Sequence, residues 1–218
     1  APEAAAAGVA RETLSARVAP RQAVAALVAA LTARGGSLRE GWPAERVGAG
    51  VVEGPAGRIA AGAVVLAAGA ATARLAPGLP VTGVKGQAAV LAADAPRDAP
   101  ILAGGGLYVT PQPGGRVAVG STSEPVWRDA QATDAALDAV IARARALCPA
   151  LAGAAVVERW AGLRPRGPLP DPMLGPVPGM AGVLAATGGF RTGFATAPVA
   201  GELIAGMIAG EAPTLPEG

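Results

Sequence analysis

The chain has 218 residues, a formal net charge of +2, 51% hydrophobic but only 3% aromatic residues, one cysteine and no histidine. That length allows one large domain or two small ones with a sizeable core. Without histidine, Ser-His-Asp and Cys-His arrangements, imidazole metal sites and histidine acid/base chemistry are excluded together, and Cys148 alone makes neither an intramolecular disulfide nor a thiolate cluster.

In chain order, Val24, Leu27, Val28 and Leu31 recur at helical spacing within APRQAVAALVAALTARGG, and Gly35 follows as a stop, which predicts a helix. The stretch from Ser37 to Ala70 alternates short apolar runs with Gly and Pro turns and ends in AVVLAAG, which reads as a strand buried on both faces. A second strand-rich region begins at VTGVKGQAAVLAAD, and LYVTP and RVAVGST flank a Pro-Gly-Gly turn to make a hairpin. Leu137, Val140, Ile141 and Leu147 then return to helical spacing, with Thr133 or Asp134 as the cap.

After VVERWAGLRPRG comes a segment, Pro165 to Gly179, that is a linker by composition. Its place between WAGLR and the apolar run GVLAAT sets it across a surface between two packed elements. GVLAAT reads as a buried strand, ATGGFRTGFATAP as a tight turn, and the chain closes on a helix with Pro198 in its first turn.

The charges fit a small-molecule protein better than one that tracks nucleic acid, because the basic residues are scattered as single arginines. The apolar stretch Ala60 to Ala73 is shorter than the roughly 18 residues a membrane span needs. No basic patch precedes an apolar run at the N-terminus, and the lone cysteine suits a reducing compartment, so the expected location is the cytoplasm. With so few acid/base side chains, an organic cofactor that carries the reactivity is the natural partner. A strand, a Gly-rich turn and a helix, as in the segment around Arg191, also form the layout that aims backbone N–H groups at an anionic or polar ligand.

Five stretches stand in a telling order: VVLAAGA, KGQ (Lys85 to Gln87), the tyrosine hairpin GGLYVTPQPGG, WAGLRP, and the loop GGFRTG. From about Pro20 onward the chain resembles the D-amino-acid oxidase and glycine oxidase family of FAD-dependent enzymes, in particular the bacterial glycine oxidases of thiamine synthesis. The resemblance implies an α/β fold in which pieces of a Rossmann-like FAD-binding domain, residues 1–80 and 161–218, enclose an inserted, mainly antiparallel substrate-binding sheet, residues 81–160. It implies oxidation of glycine, a D-amino acid or another small amine to the imine, with hydrogen peroxide formed on reoxidation of the flavin.

By the same resemblance, Arg164 of GLRP pairs with the substrate carboxylate, Arg191 is a second substrate contact and Tyr108 closes the substrate pocket. The backbone from Gly189 through Phe190, Arg191, Thr192, Gly193 and Phe194 to Ala195 lines the flavin ring, and Ala44 stands where relatives place a valine whose backbone meets the adenine. No catalytic acid or base and no metal ligand is assigned. The sequence departs from the family at Gly189 and Thr192, where relatives often carry histidine and asparagine, and at Ala71, where they carry an aromatic residue. It also contains no G-x-G-x-x-G, the turn that seats the FAD pyrophosphate in the family. Together with a first residue other than methionine, this makes the chain the expected downstream part of a longer protein or one half of a split one. The partners expected are therefore an N-terminal FAD-domain segment or subunit and, as a further option, a second copy of the chain. A non-catalytic fragment or partner subunit that keeps the fold is the alternative reading.

Overall fold

A computed structural model describes residues 8–96 and 98–212. Its first elements are α1 (Pro20–Ala33), β1 (Arg46–Gly48), β2 (Val51–Gly54), β3 (Gly57–Ala60), β4 (Val64–Leu66), a short α2 (Thr72–Leu75) and the long β5 (Thr82–Ala92). There follow β6 (Leu102–Gly104), β7 (Leu107–Gln112), β8 (Arg116–Gly120), α3 (Ala135–Leu147), β9 (Val156–Arg166), β10 (Met173–Pro176), β11 (Val183–Thr187) and α4 (Gly193–Ala209).

The chain divides into two compact units, one of residues up to Leu38 with Lys85–Gly162, the other of Arg39–Val84 with everything from Leu163 on. The expected breaks lay after residues 80 and 160, with α1 in the first FAD-binding piece. Instead α1 and its approach belong to the strand-rich unit, where Arg17 donates to the Ala99 carbonyl at 3.0 Å and Arg21 is held by Glu158.

In the strand-rich unit the sheet order is β6-β7-β8-β5-β9. Gly114 and Gly115, both at positive φ (78° and 67°), turn the β7–β8 hairpin so that Gln112 pairs with Arg116. Strand alternation sends Ala89, Leu91, Val109, Val117 and Val119 to one face, and α3 covers that face with Leu137, Val140 and Ile141. The α3 spacing is that of an amphipathic helix, and of the two candidate caps Asp134 is the one used, its carboxylate accepting the Ala136 N–H at 2.9 Å. α1 forms as its spacing predicts but buries none of its residues; Val24, Leu27 and Leu31 are exposed.

The second unit holds a small antiparallel sheet, β1-β2-β3, and the sheet β10-β11-β4. Across the former, the Glu53 carboxylate binds Arg46 (2.8 Å) and Arg58 (3.0 Å), and the Arg46 hydrogen bond first, with both guanidinium charges, holds its pKa below the ordinary range. In the latter, β4 and β11 are parallel, Val64 opposite Val183 and Leu66 opposite Ala185, and their core adds Leu75 and Val177. Three expectations are corrected here. The β4 strand is buried on one face only, because Val65 is 37% exposed and looks into a cleft. The Pro-Gly segment does not merely run across a surface between two packed elements: β10 lies inside it, antiparallel to β11, with Pro172 before the strand and Pro176 at its end, where a missing N–H is tolerated. Pro198 is not in the first turn of the last helix. α4 already starts at Gly193, the Thr196 N–H reaching the Thr192 carbonyl at 3.0 Å, so Pro198 lies one turn further in and deprives the Phe194 carbonyl of its helical donor.

Candidate functional site

β11 ends at Thr187, and the chain then turns through Gly188 (φ +78°) and Phe190 (φ +39°) into α4. A left-handed conformation costs a side-chain-bearing residue about 1–3 kcal/mol, so Phe190 must be held in place. Its N–H donates to the Pro165 carbonyl at 2.9 Å, and Gly189 forms a bridge with Arg166, which clamps the loop onto the end of β9. Thr192 ties the turn back on itself, its N–H reaching the Gly189 carbonyl at 2.7 Å and its hydroxyl the same oxygen at 3.1 Å. On the other side, the Thr187 hydroxyl donates to the Gly69 carbonyl at 3.2 Å, joining the end of β11 to the turn after β4.

Between these segments lies a cleft of about 480 Å³. Ala67, Gly69, Ala186, Gly189, Gly193 and Ala197 line it with no side chain larger than a methyl group, and Val65 and Ile204 add apolar wall. A planar ring can therefore lie directly against backbone. The first-turn N–H groups of α4 precede the first intrahelical donor, Thr196, and so remain open for the polar edge of a ligand. The close approach is built in: a Cβ on Gly189 would stand 2.9 Å from the Gly193 Cα.

Of the residues expected to hold cofactor, Gly189, Phe190 and Gly193 line the cleft, while Arg191, Thr192, Phe194 and Ala195 continue the same loop and helix start outside its lining. Ala44 lies before β1, half-buried against the Val64–Val183 core, and its carbonyl accepts from Arg74 at 3.1 Å. Among the expected substrate contacts, Arg164 and Arg191 belong to one unit, on segments bonded to each other through Pro165 and Phe190. Pro165 lines the cleft, so alternation along β9 sets Arg164 and Arg166 on the strand's other side. Tyr108 belongs to the strand-rich unit, on the sheet face away from α3, and is 55% exposed.

Arg166 was not anticipated. Its guanidinium lies 5.7 Å from the centre of the Phe190 ring and that of Arg191 5.3 Å, so one aromatic ring engages both cations. The signal for it was the second arginine of RPR, two residues on and therefore on the same side of an extended strand.

The KGQ motif proves to be a buried polar cluster in the strand-rich unit. Gln87 is fully buried; its amide nitrogen donates to Glu124 (3.0 Å) and Asp134 (2.9 Å), and its oxygen accepts the Asp134 N–H at 2.9 Å. The Lys85 ammonium, with its side chain 4% exposed, stands 3.8 Å from Glu124 and 4.0 Å from Asp134. The Gln87 hydrogen bond foremost keeps the Asp134 carboxyl below its usual pKa.

A family model described as FAD dependent oxidoreductase matches residues 2–207. The chain belongs to this family. It is 37% identical over 163 residues to a glycine oxidase of Pseudomonas aeruginosa, an alignment covering 73% of the chain and 45% of that relative. The FAD-family chain thus spans about half the length of the curated relative it matches. Among solved structures it resembles glycine oxidase from Geobacillus kaustophilus, with a TM-score of 0.77 and 31% identity over 86% of this chain and 53% of that one. It is similar also to iminodiacetate oxidase from Chelativorans sp. BNC1, with a TM-score of 0.79 and 31% identity over 92% and 57% of the respective chains. The α/β architecture with antiparallel sheets is the fold of these glycine-oxidase-like enzymes. No helix of the described residues is long and apolar enough to cross a membrane.

Proposed function

We propose that this chain is the substrate-binding and flavin-capping part of an FAD-dependent oxidase of glycine, a D-amino acid or another small amine. The observation that carries this reading is the cleft at the junction of β11, the Gly188–Thr192 loop and α4, whose walls of backbone and methyl groups suit a flat heteroaromatic ring in a chain of this family. Gly189, Phe190 and Gly193 would hold the ring, and the open N–H groups at the start of α4 would face its polar edge. Bound FAD supplies the electron acceptor for conversion of the amine to the imine, and dioxygen the reoxidant that yields hydrogen peroxide. The chain's own residues bind and orient. By the family resemblance, Arg164 would pair with the substrate carboxylate through its planar guanidinium, Arg191 would add a second positive charge, and Tyr108 would be a further substrate contact. Fixing the carboxylate fixes the direction of the reacting C–H bond, which is how positioning lowers a barrier.

Arg164→Ala, made in the protein complemented with an N-terminal FAD-binding segment, tests the assignment. Loss of a charge-assisted contact of about 1.5–3 kcal/mol predicts a KM for carboxylate substrates raised roughly 10- to 100-fold. An unchanged KM removes Arg164 from the site. Complemented protein that takes up FAD yet never bleaches it with glycine or D-amino acids would establish the non-catalytic reading instead.

A further inference from the structure

The open face of the five-stranded sheet carries a second cavity, of about 600 Å³, entirely within the strand-rich unit and outside the flavin cleft. Its floor is one row of the ladder, Thr110 opposite Ala118 and Ala118 opposite Val90, where short side chains leave depth. The next row places Gln112 opposite Arg116 at one end. Val18, shortly before α1, Pro20, its first residue, and Trp160 of β9 also line it.

The charges are arranged asymmetrically. Arg21 lies 5.9 Å from the Trp160 ring centre and is engaged through both terminal nitrogens by Glu158. The Glu158 carboxyl is held below its ordinary range first by this hydrogen bond and also by the charges of Arg21 and Arg116. Arg116 has no side-chain hydrogen bond or ion pair among the described residues, so its guanidinium fork is open. Two cations and one carboxylate leave a single positive charge in a cavity whose remaining walls are largely apolar. Its volume is that of a small-molecule site, roughly 300–1,000 Å³.

We propose that this cavity binds a small monoanionic carboxylate with an apolar or aromatic body. The carboxylate pairs with Arg116, assisted by the Gln112 amide, and the body rests on Val90 and Ala118 against Val18. One negative charge neutralises the site. A dianion would overshoot it and be repelled by the Glu158 carboxylate, whose charge is already coupled to Arg116, which disfavours phosphate esters. The proposal is independent of the flavin reading, since none of these residues belongs to that cleft.

The test is titration of the FAD-free chain with phenylacetate, phenylacetamide and phenyl phosphate, followed by Trp160 fluorescence. The other two tryptophans are replaced in a Trp42→Phe, Trp127→Phe background, and calorimetry on the unmodified chain serves if that background does not fold. Saturable quenching by phenylacetate is expected, weakened at least about tenfold both for the neutral amide and in Arg116→Gln, as loss of a charge-assisted hydrogen bond requires. Glu158→Gln should shift preference toward phenyl phosphate, because it removes the repelling carboxylate. Absence of saturable binding, equal binding of acid and amide, or an Arg116→Gln variant that binds like the original would each overturn the proposal.

Discussion

Gln87 has no exposed surface, yet both ends of its amide are spent, on Glu124, on the Asp134 carboxylate and on the Asp134 N–H. Asp134 is also the cap of α3, so one side chain joins β5 to the helix that covers the sheet. Replacing Gln87 by leucine takes one donor from each of two carboxylates, which keep Thr122, the Ala136 N–H and Lys85, and leaves the Asp134 N–H without its acceptor beside a fully buried side chain. An unmet buried polar group costs about 1–3 kcal/mol, and Gln87→Leu is expected to destabilise the strand-rich unit by about 2–3 kcal/mol in denaturant unfolding, despite the gain in hydrophobicity. Stability equal to that of the parent would show that the cluster contributes nothing. At Gly189 the constraint is steric. A Cβ would press on the Gly193 Cα, so the histidine that the family pattern carries there could enter only if this loop opened. The departure from the pattern and the tight turn are thus one feature.

The two long helices of the strand-rich unit share helical periodicity and differ in what it achieves. α3 sets Leu137, wholly buried, onto Val117 and Val119, whereas α1 leaves Leu27 69% exposed. Leu137→Ala opens a cavity in close-packed surroundings and should cost about 2–5 kcal/mol. Leu27→Ala, with most of its side chain already in water, should stay within about 0.5 kcal/mol. Thermal unfolding of the two variants side by side checks the contrast; a Leu27→Ala cost as large as that of Leu137→Ala would mean that the apolar stripe of α1 is covered in solution.

For the molecule as a whole, the sheet β10-β11-β4 ends at β4 among the described residues, with Val65 turned to the cleft. The sequence contains GGFRTG but no G-x-G-x-x-G; on the proposed reading, the ring contacts come from this chain and the pyrophosphate contacts from another segment. Two absent charge-assisted contacts to phosphate correspond to roughly 3–6 kcal/mol, or two to four orders of magnitude in affinity. The isolated chain is accordingly expected to bind FAD weakly and to show no oxidase turnover. Supplying a segment with that turn should tighten binding at least about 100-fold, measured by quenching of flavin fluorescence. Tight stoichiometric uptake by the 218 residues alone, with turnover of glycine, would refute this.

Features governed by near neighbours were legible in the sequence. The Pro-Gly-Gly turn, the 3–4 spacing of α3 and its cap, the GVLAAT strand and the Gly-rich turn after it each depend on a few adjacent residues, through φ demands and side-chain periodicity. The order of five short motifs also sufficed to indicate the family. The remaining features depend on residues distant in the chain. That β4 pairs in parallel with β11, about 120 residues later by subtraction of Val64 from Val183, decides which face of VVL is open. Pro172 and Pro176 look like linker composition until β11 offers a partner that uses the carbonyls and N–H groups between them. The early start of α4 follows from Thr192 and Thr196 closing on each other once Phe190 is clamped to β9. Lys85, Gln87, Glu124 and Asp134 become one cluster only when a strand and a helix cap meet, because burial of polar groups is settled by partners that local sequence does not contain.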